Sequence, residues 1–132
     1  MRGIKTAGSI LSAMLFAMAP CHAQEQPLIS SVAVPAAGKE RAAKLIDLST
    51  KERLAGHLRN AVEYATLGSA EAEKNGQDLD QTRGLLELAR AQKAKGDMEN
   101  AIGAAVRATL VSGTVHSSLR TNALLYLASL YV

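Results

Sequence analysis

The chain repeats itself, and that repetition constrains its fold more than any other feature. Leu45-Ile46-Asp47-Leu48-Ser49 returns as Leu85-Leu86-Glu87-Leu88-Ala89, and Gly56-His57-Leu58-Arg59-Asn60-Ala61-Val62 returns as Gly96-Asp97-Met98-Glu99-Asn100-Ala101-Ile102, both at the same offset of forty positions. Over Leu45 to Ala65, six positions are identical to their partners: Leu45, Leu48, Gly56, Asn60, Ala61 and Ala65. Conservative exchanges such as Asp47 with Glu87 and Arg53 with Lys93 extend the match. Self-similarity at a period of roughly 20–50 residues marks supersecondary units that bury their apolar faces by stacking on one another. Such a stack offers a surface for binding rather than a catalytic pocket.

The segment from Met1 to Ala23 reads as a secretory signal peptide, so it is set aside before composition is weighed. Arg2 and Lys5 form a positive n-region, Ala7 to Ala19 is an uncharged and largely apolar run, and Cys21-His22-Ala23 supplies small residues at a cleavage site. That run is too short to span a bilayer, and Pro20 before Cys21 argues against lipidation. Cleavage after Ala23 removes two of the 15 Lys and Arg side chains and none of the 12 Asp and Glu, so the net charge of +3 for the whole chain falls almost to zero. The near-neutral mature chain has no electrostatic basis for binding nucleic acid. With Cys21 removed it also has no disulfide, thiol nucleophile or Cys-based metal site, even in an oxidising compartment. The expected location is therefore periplasmic or secreted, with no membrane span after cleavage.

Gln24 to Gly38 carries Pro27 and Pro35 and reads as a flexible leader, in which Leu28–Val34 has the pattern of an edge strand without an evident partner. From Lys39 onward everything reads as helix. The first helix covers Glu40–Ala55 and is broken by Gly56; the second runs from Leu58 to Lys74 and stops at Asn75-Gly76, residues that tolerate the left-handed conformation. Asp78 and Asp80 are expected to cap a third helix, Gln81–Lys95. Gly96-Asp97 then ends that helix and starts a fourth, which closes near Ser112-Gly113. A fifth begins around His116–Ser118. Helices alternating with tight glycine turns are antiparallel hairpins. Small residues stand where backbones must approach: Ser49, Ala89 and Ala128 on first helices, Ala61, Gly68, Ala101 and Ala108 on second ones.

These residues resemble the tetratricopeptide repeat. Leu85, Leu88-Ala89, Gly96-Asp97, Ala101-Ile102, Ala105 and Ala108 fall on the family's signature positions, and Leu124, Leu127-Ala128 and Tyr131 match the first helix of another repeat. The departures are a period of forty instead of about 34, Gly113 near the place of the family's proline, and Gln92 where an aromatic is usual. The resemblance implies an all-α fold: a short right-handed α-solenoid of five helices over residues 39–132, with units 42–81 and 82–120 and a half unit 121–132.

It also implies that a ligand lies on the concave face formed by the first helix of each hairpin. The matching positions are Ala43, Ile46, Thr50 and Arg53, then Arg83, Leu86, Arg90 and Lys93, then Asn122, Leu125 and Ser129. Arg83, Arg90 and Lys93 share one helix face, which suits an acidic peptide or a carboxylate as readily as plain solvation. Leu86 and Arg90 stand where some members carry a Lys/Asn carboxylate clamp. His57 and His116 sit singly at helix starts, so turn or capping roles are expected, and no metal or other cofactor. No carboxylate pair, Ser/His/Asp set or Gly-rich phosphate loop stands out, and an enzyme is not expected.

The function expected is an exported adaptor for a protein or peptide, the alternative being a periplasmic sensory input domain, or a fragment of one, from a larger signalling protein. Nine of the ten residues Ala123–Val132 are apolar. Leu124, Leu127, Leu130 and Tyr131 are accordingly expected to form an exposed terminal face, covered by a second copy in a homodimer, a partner or the Leu28–Val34 leader. N-terminal sequencing of the protein recovered from a periplasmic extract should begin at or near Gln24; recovery of the intact chain in the cytoplasm would remove the export reading.

Overall fold

Among the described residues, five helices follow one another along the chain. In the computed structural model, which describes residues 34–35, 38–114 and 117–132, α1 is Lys39–Leu54, α2 Leu58–Lys74, α3 Asp78–Lys95, α4 Met98–Val111 and α5 Ser117–Leu130. The expected signal peptide, the leader up to Ala33 and His116 lie outside the described residues.

The turns follow from glycine. Gly56 and Gly96, at equivalent places in the repeat, adopt φ of 84° and 90°, a region in which a Cβ is strained. Each turn closes with the same paired bonds: His57 N donates to Glu52 O at 2.8 Å and Gly56 N to Arg53 O at 3.1 Å, while Asp97 N donates to Gln92 O at 2.9 Å and Gly96 N to Lys93 O at 3.0 Å. These bonds satisfy the carbonyls that a helix end leaves open. Asp97 caps α4 as expected, accepting from Asn100 N at 3.3 Å. The expected capping by Asp78 and Asp80 does not hold. Gln77 takes the N-cap position and both aspartates lie inside the first turn of α3, where the helix dipole still favours them. Asp78 accepts from Thr114 Oγ1 instead, tying the start of α3 to the 3₁₀ turn Ser112–Thr114 that follows α4.

Each helix packs on its neighbour in sequence, and α1 also touches α3, which touches α5. The first helices of successive hairpins therefore line up on one side of an all-α array. The core is built from small side chains. Ala61, Ala65, Ala72, Ala89, Ala101, Ala105 and Ala108 are fully buried, with Leu45, Ile46, Leu85 and Tyr64 among the few large ones. Ser49 is also buried, its hydroxyl donating across to Ala61 O at 2.7 Å. Ala128, expected at a close contact, is exposed, because no helix packs on that face of α5 among the described residues.

The terminal face needs a second correction. Leu130 is only 7% exposed and joins the core cluster, with Leu127 and Tyr126 packed against it. Ala123, Leu127 and Leu130 recur at helical spacing and turn towards α3 and α4, whereas Leu124, Leu125 and Tyr131 face outward.

Two glycines mark where helix backbones come closest. A Cβ on Gly68 would stand 2.9 Å from Ile46 Cγ1, and one on Gly84 would stand 3.0 Å from Ser69 Cβ and 3.1 Å from its Cα. Backbone cannot move aside as a side chain can. Gly84→Ala should therefore lose about 1–3 kcal/mol of stability. Gly103→Ala, in α4 where a Cβ meets nothing within 4 Å, should gain about 0.5–1 kcal/mol through helix propensity. Thermal denaturation of the two variants should move in opposite directions.

Candidate binding groove

The aligned first helices enclose a shallow groove of about 120 Å³, lined by Ile46 and Thr50 from α1, Leu86, Arg83, Glu87 and Arg90 from α3, and Leu119 and Asn122 from α5. Helical spacing explains the set: Ile46 and Thr50, and Arg83, Leu86 and Arg90, are three or four residues apart along their helices. Six of the expected concave residues thus meet here, namely Ile46, Thr50, Arg83, Leu86, Arg90 and Asn122, while Ala43 and Arg53 do not line it. Nor do Lys93, Leu125 and Ser129. Lys93 is exposed towards the end of α3, Leu125 is 64% exposed, and Ser129 donates to Tyr126 O at 2.6 Å from an exposed position.

The arginines are not a free cationic stripe, which corrects the reading of α3 as a basic face. Arg83 NH1 lies 3.1 Å from Asp80 Oδ1, and its NH2 lies 3.6 Å from Asp47 Oδ1 on α1. Arg90 NH1 donates to Glu87 Oε1 at 2.6 Å, while Arg53 Nε reaches Glu87 Oε2 from α1 at 3.0 Å. The Arg90 guanidinium also sits 5.4 Å from the ring centroid of Tyr126 on α5, a cation–π distance. One carboxylate thereby gathers side chains from α1 and α3, and Arg90 passes the link to α5. Burial pushes the Tyr126 hydroxyl above its ordinary pKa, opposed by the nearby Arg90 and Arg53 charges. Its oxygen is buried without a hydrogen-bond partner among the described residues.

Glu87, Leu119 and Tyr126 were not among the candidates read from the sequence. Glu87 had a signal: it stands three residues before Arg90 and four after Arg83, the spacing at which opposite charges meet on a helix.

A second recess of about 240 Å³ lies between α3 and α4, lined by Leu88, Gln92, Asn100, Gly103, Ala104 and Arg107. The first hairpin shows what its equivalent does. There Glu52 Oε2 accepts from Asn60 Nδ2 at 3.1 Å and lies 3.0 Å from Nδ1 of His57, which stands at the N-cap of α2 without capping it through its side chain. In the second hairpin Asp97 replaces His57 and draws Asn100 Nδ2 to 2.7 Å, leaving Gln92 Oε1 buried without a partner. The same pair of hydrogen bonds from Asn100 lowers the Asp97 pKa.

Among the described residues no group of three or more His, Cys, Asp or Glu is placed to hold a metal ion. None of the described helices is long and apolar enough to cross a membrane. Comparisons with protein-family models, curated proteins and solved structures give no significant match.

The orphaned hydroxyl separates the two roles of Tyr126. Tyr126→Phe keeps the ring beneath Arg90 and removes the unpartnered oxygen, so the melting temperature should stay level or rise. Tyr126→Ala should lose about 2–4 kcal/mol through lost packing and cation–π contact. Equal losses in the two variants would place the contribution in the hydroxyl instead.

Proposed function

We propose that this chain is a tetratricopeptide-like adaptor, exported across the cytoplasmic membrane, that binds a peptide segment of a protein partner along the face made by α1, α3 and α5. The observation that carries this reading is the groove itself. Three helices from successive units each supply side chains to it, with an apolar floor of Ile46, Leu86 and Leu119 and polar groups from Thr50 and Asn122 beside it. Ligand pockets for small molecules run to about 300–1,000 Å³ and bury most of their occupant. A groove of about 120 Å³ open along its length suits a few side chains of an extended or helical segment better. A fold alone does not assign a ligand, so the reading rests on the site's shape and chemistry.

A sensory input role is the second reading. The outward face of α5, with Leu124, Leu125 and Tyr131 exposed at 46%, 64% and 69%, favours it, since such a face suits packing against a further unit.

The test is selection from a displayed library of random dodecapeptides on the protein without residues 1–23. Peptides recovered should bind at least about tenfold more weakly to Asn122→Trp, which fills the groove from an exposed position, a difference of about 1.4 kcal/mol. Glu63→Trp, on the exposed side of α2, should leave their affinity unchanged. Peptides indifferent to Asn122→Trp, or no recovered peptide at all, would overturn the assignment of the groove as the binding face.

A further inference from the structure

Resting on that reading of the groove, we propose that Glu87 is a built-in occupant of the groove's anion site, so that the peptide taken is uncharged and acidic segments are refused. Two guanidiniums from different helices converge on one position, Arg53 from α1 at 3.0 Å and Arg90 from within α3 at 2.6 Å. A convergent pair of arginines is the arrangement that captures a carboxylate. Here the carboxylate is the protein's own, one oxygen to each arginine, and the residue is only 7% exposed. An incoming anion aimed at Arg90 must either displace Glu87 or stand beside its buried charge, where like charges repel far more strongly than in water.

The remaining groove cation is also spoken for, since Arg83 is held between Asp80 and Asp47. Three guanidiniums (Arg53, Arg83 and Arg90) therefore meet three carboxylates (Asp47, Asp80 and Glu87), and the site carries no net charge. Beyond those pairs the groove presents Thr50, Asn122 and the half-buried Leu119, over Ile46 and Leu86, which are buried and present little surface. A segment with neutral hydroxyl or amide side chains, and at most an aliphatic contact at Leu119, matches it.

The repeat supplies an internal control. Asp47 occupies the position equivalent to Glu87 in the first unit, yet its side chain is 62% exposed and its one ion pair is a looser 3.6 Å contact with Arg83. Burial between two arginines is thus particular to Glu87 and not a requirement of the hairpin. A buried ion pair is by itself weak evidence of a purely structural role, since apolar residues of similar volume often match it, although removing one partner alone is costly. Glu87 is a specificity-determining residue.

Parallel selections from the same dodecapeptide library test this on three proteins. Wild type should recover peptides of near-zero net charge. Glu87→Gln keeps the size of the side chain and leaves Arg90 in the groove, with Arg53 behind it, without their carboxylate; it should recover acidic peptides that bind it on the order of tenfold more tightly than wild type. Arg90→Gln removes one cation and leaves Glu87 in place, and should shift recovery towards basic peptides. Far-UV circular dichroism establishes that each variant is folded. A separate arm needs no peptide. In Glu87→Ala, sodium formate at fixed ionic strength should refill the vacated position and raise Tm saturably by about 2–4 °C, with no such rise in wild type.

Acidic peptides from wild type, or the same charge distribution from all three proteins, would overturn the specificity role. Formate responses alike in Glu87→Ala and wild type would overturn the anion site. If no protein recovers any peptide, the binding-face reading falls with its specificity, while the formate arm still decides whether Glu87 fills an anion site.

Discussion

Close approach of helix backbones is the constraint on which the rest of this structure depends. At Gly68, which faces Ile46 and Leu45, and at Gly84, which faces Ser69, there is no room for a Cβ, and buried alanines make up much of the rest of the core. Faces of small residues let helix backbones approach at the short end of the usual spacing of roughly 8–10 Å. The register is then fixed by shape, since a one-residue shift would drive a larger side chain into a neighbouring helix. The glycine turns at 56 and 96 serve the same end, returning the chain at once so that sequence neighbours become packing neighbours.

A core of small residues has a second consequence. It buries little apolar surface per residue, because alanine contributes far less than leucine or phenylalanine. Links between units must therefore come partly from elsewhere, and the face of α1, α3 and α5 supplies them. Asp47 reaches forward from α1 to Arg83, Arg53 reaches across to Glu87, and Arg90 leans over Tyr126. Exposed pairs such as Asp47–Arg83 contribute little to stability, about 0–1 kcal/mol. Their effect is on alignment: they fix where α1 and α5 stand relative to α3, and hence the width of the groove between them.

The sequence carried the fold in full view because two signals agreed. The repeat named the unit, and glycines with small residues at fixed places named its turns and contacts. Helix boundaries came within one turn, the main miss being α3, where Asp78 and Asp80 resemble caps but follow a glutamine that takes that role. The groove was legible in part. The resemblance to a helical repeat implied Ile46, Thr50, Arg83, Leu86, Arg90 and Asn122, and helical spacing agrees that the members on each helix share a face. Periodicity does not say how far along a helix its neighbour overlaps, and Lys93, Leu125 and Ser129 do not line the groove. Nor does it say which charges find each other across helices. The link from Arg53 to Glu87 joins residues far apart in the chain and depends on a packing offset that no local pattern encodes. For α5, counting apolar residues over Ala123–Val132 hid a division into an inner face with Leu130 and an outer one with Leu124 and Tyr131.

The two hairpins share four buried apolar positions and differ at several places along the groove. Leu45 and Leu85, Leu48 and Leu88, Ala61 and Ala101, and Ala65 and Ala105 are identical pairs, and all are buried. On the groove side the equivalents part company: Thr50 against Arg90, Ala43 against Arg83, and Asp47 exposed against Glu87 buried. Duplication of a hairpin delivers two copies of the same face, and packing holds the interfaces fixed while leaving that face open to change. The changes here are not independent of one another. Placing arginines at 83 and 90 in the second unit brings cations beside an apolar floor, and each is answered by a carboxylate at helical spacing or from the neighbouring helix. Such compensation pairs the two groove arginines with carboxylates on a helix that carries four cations, and on the proposed reading it leaves the charge of a single buried glutamate to decide which ligand is taken.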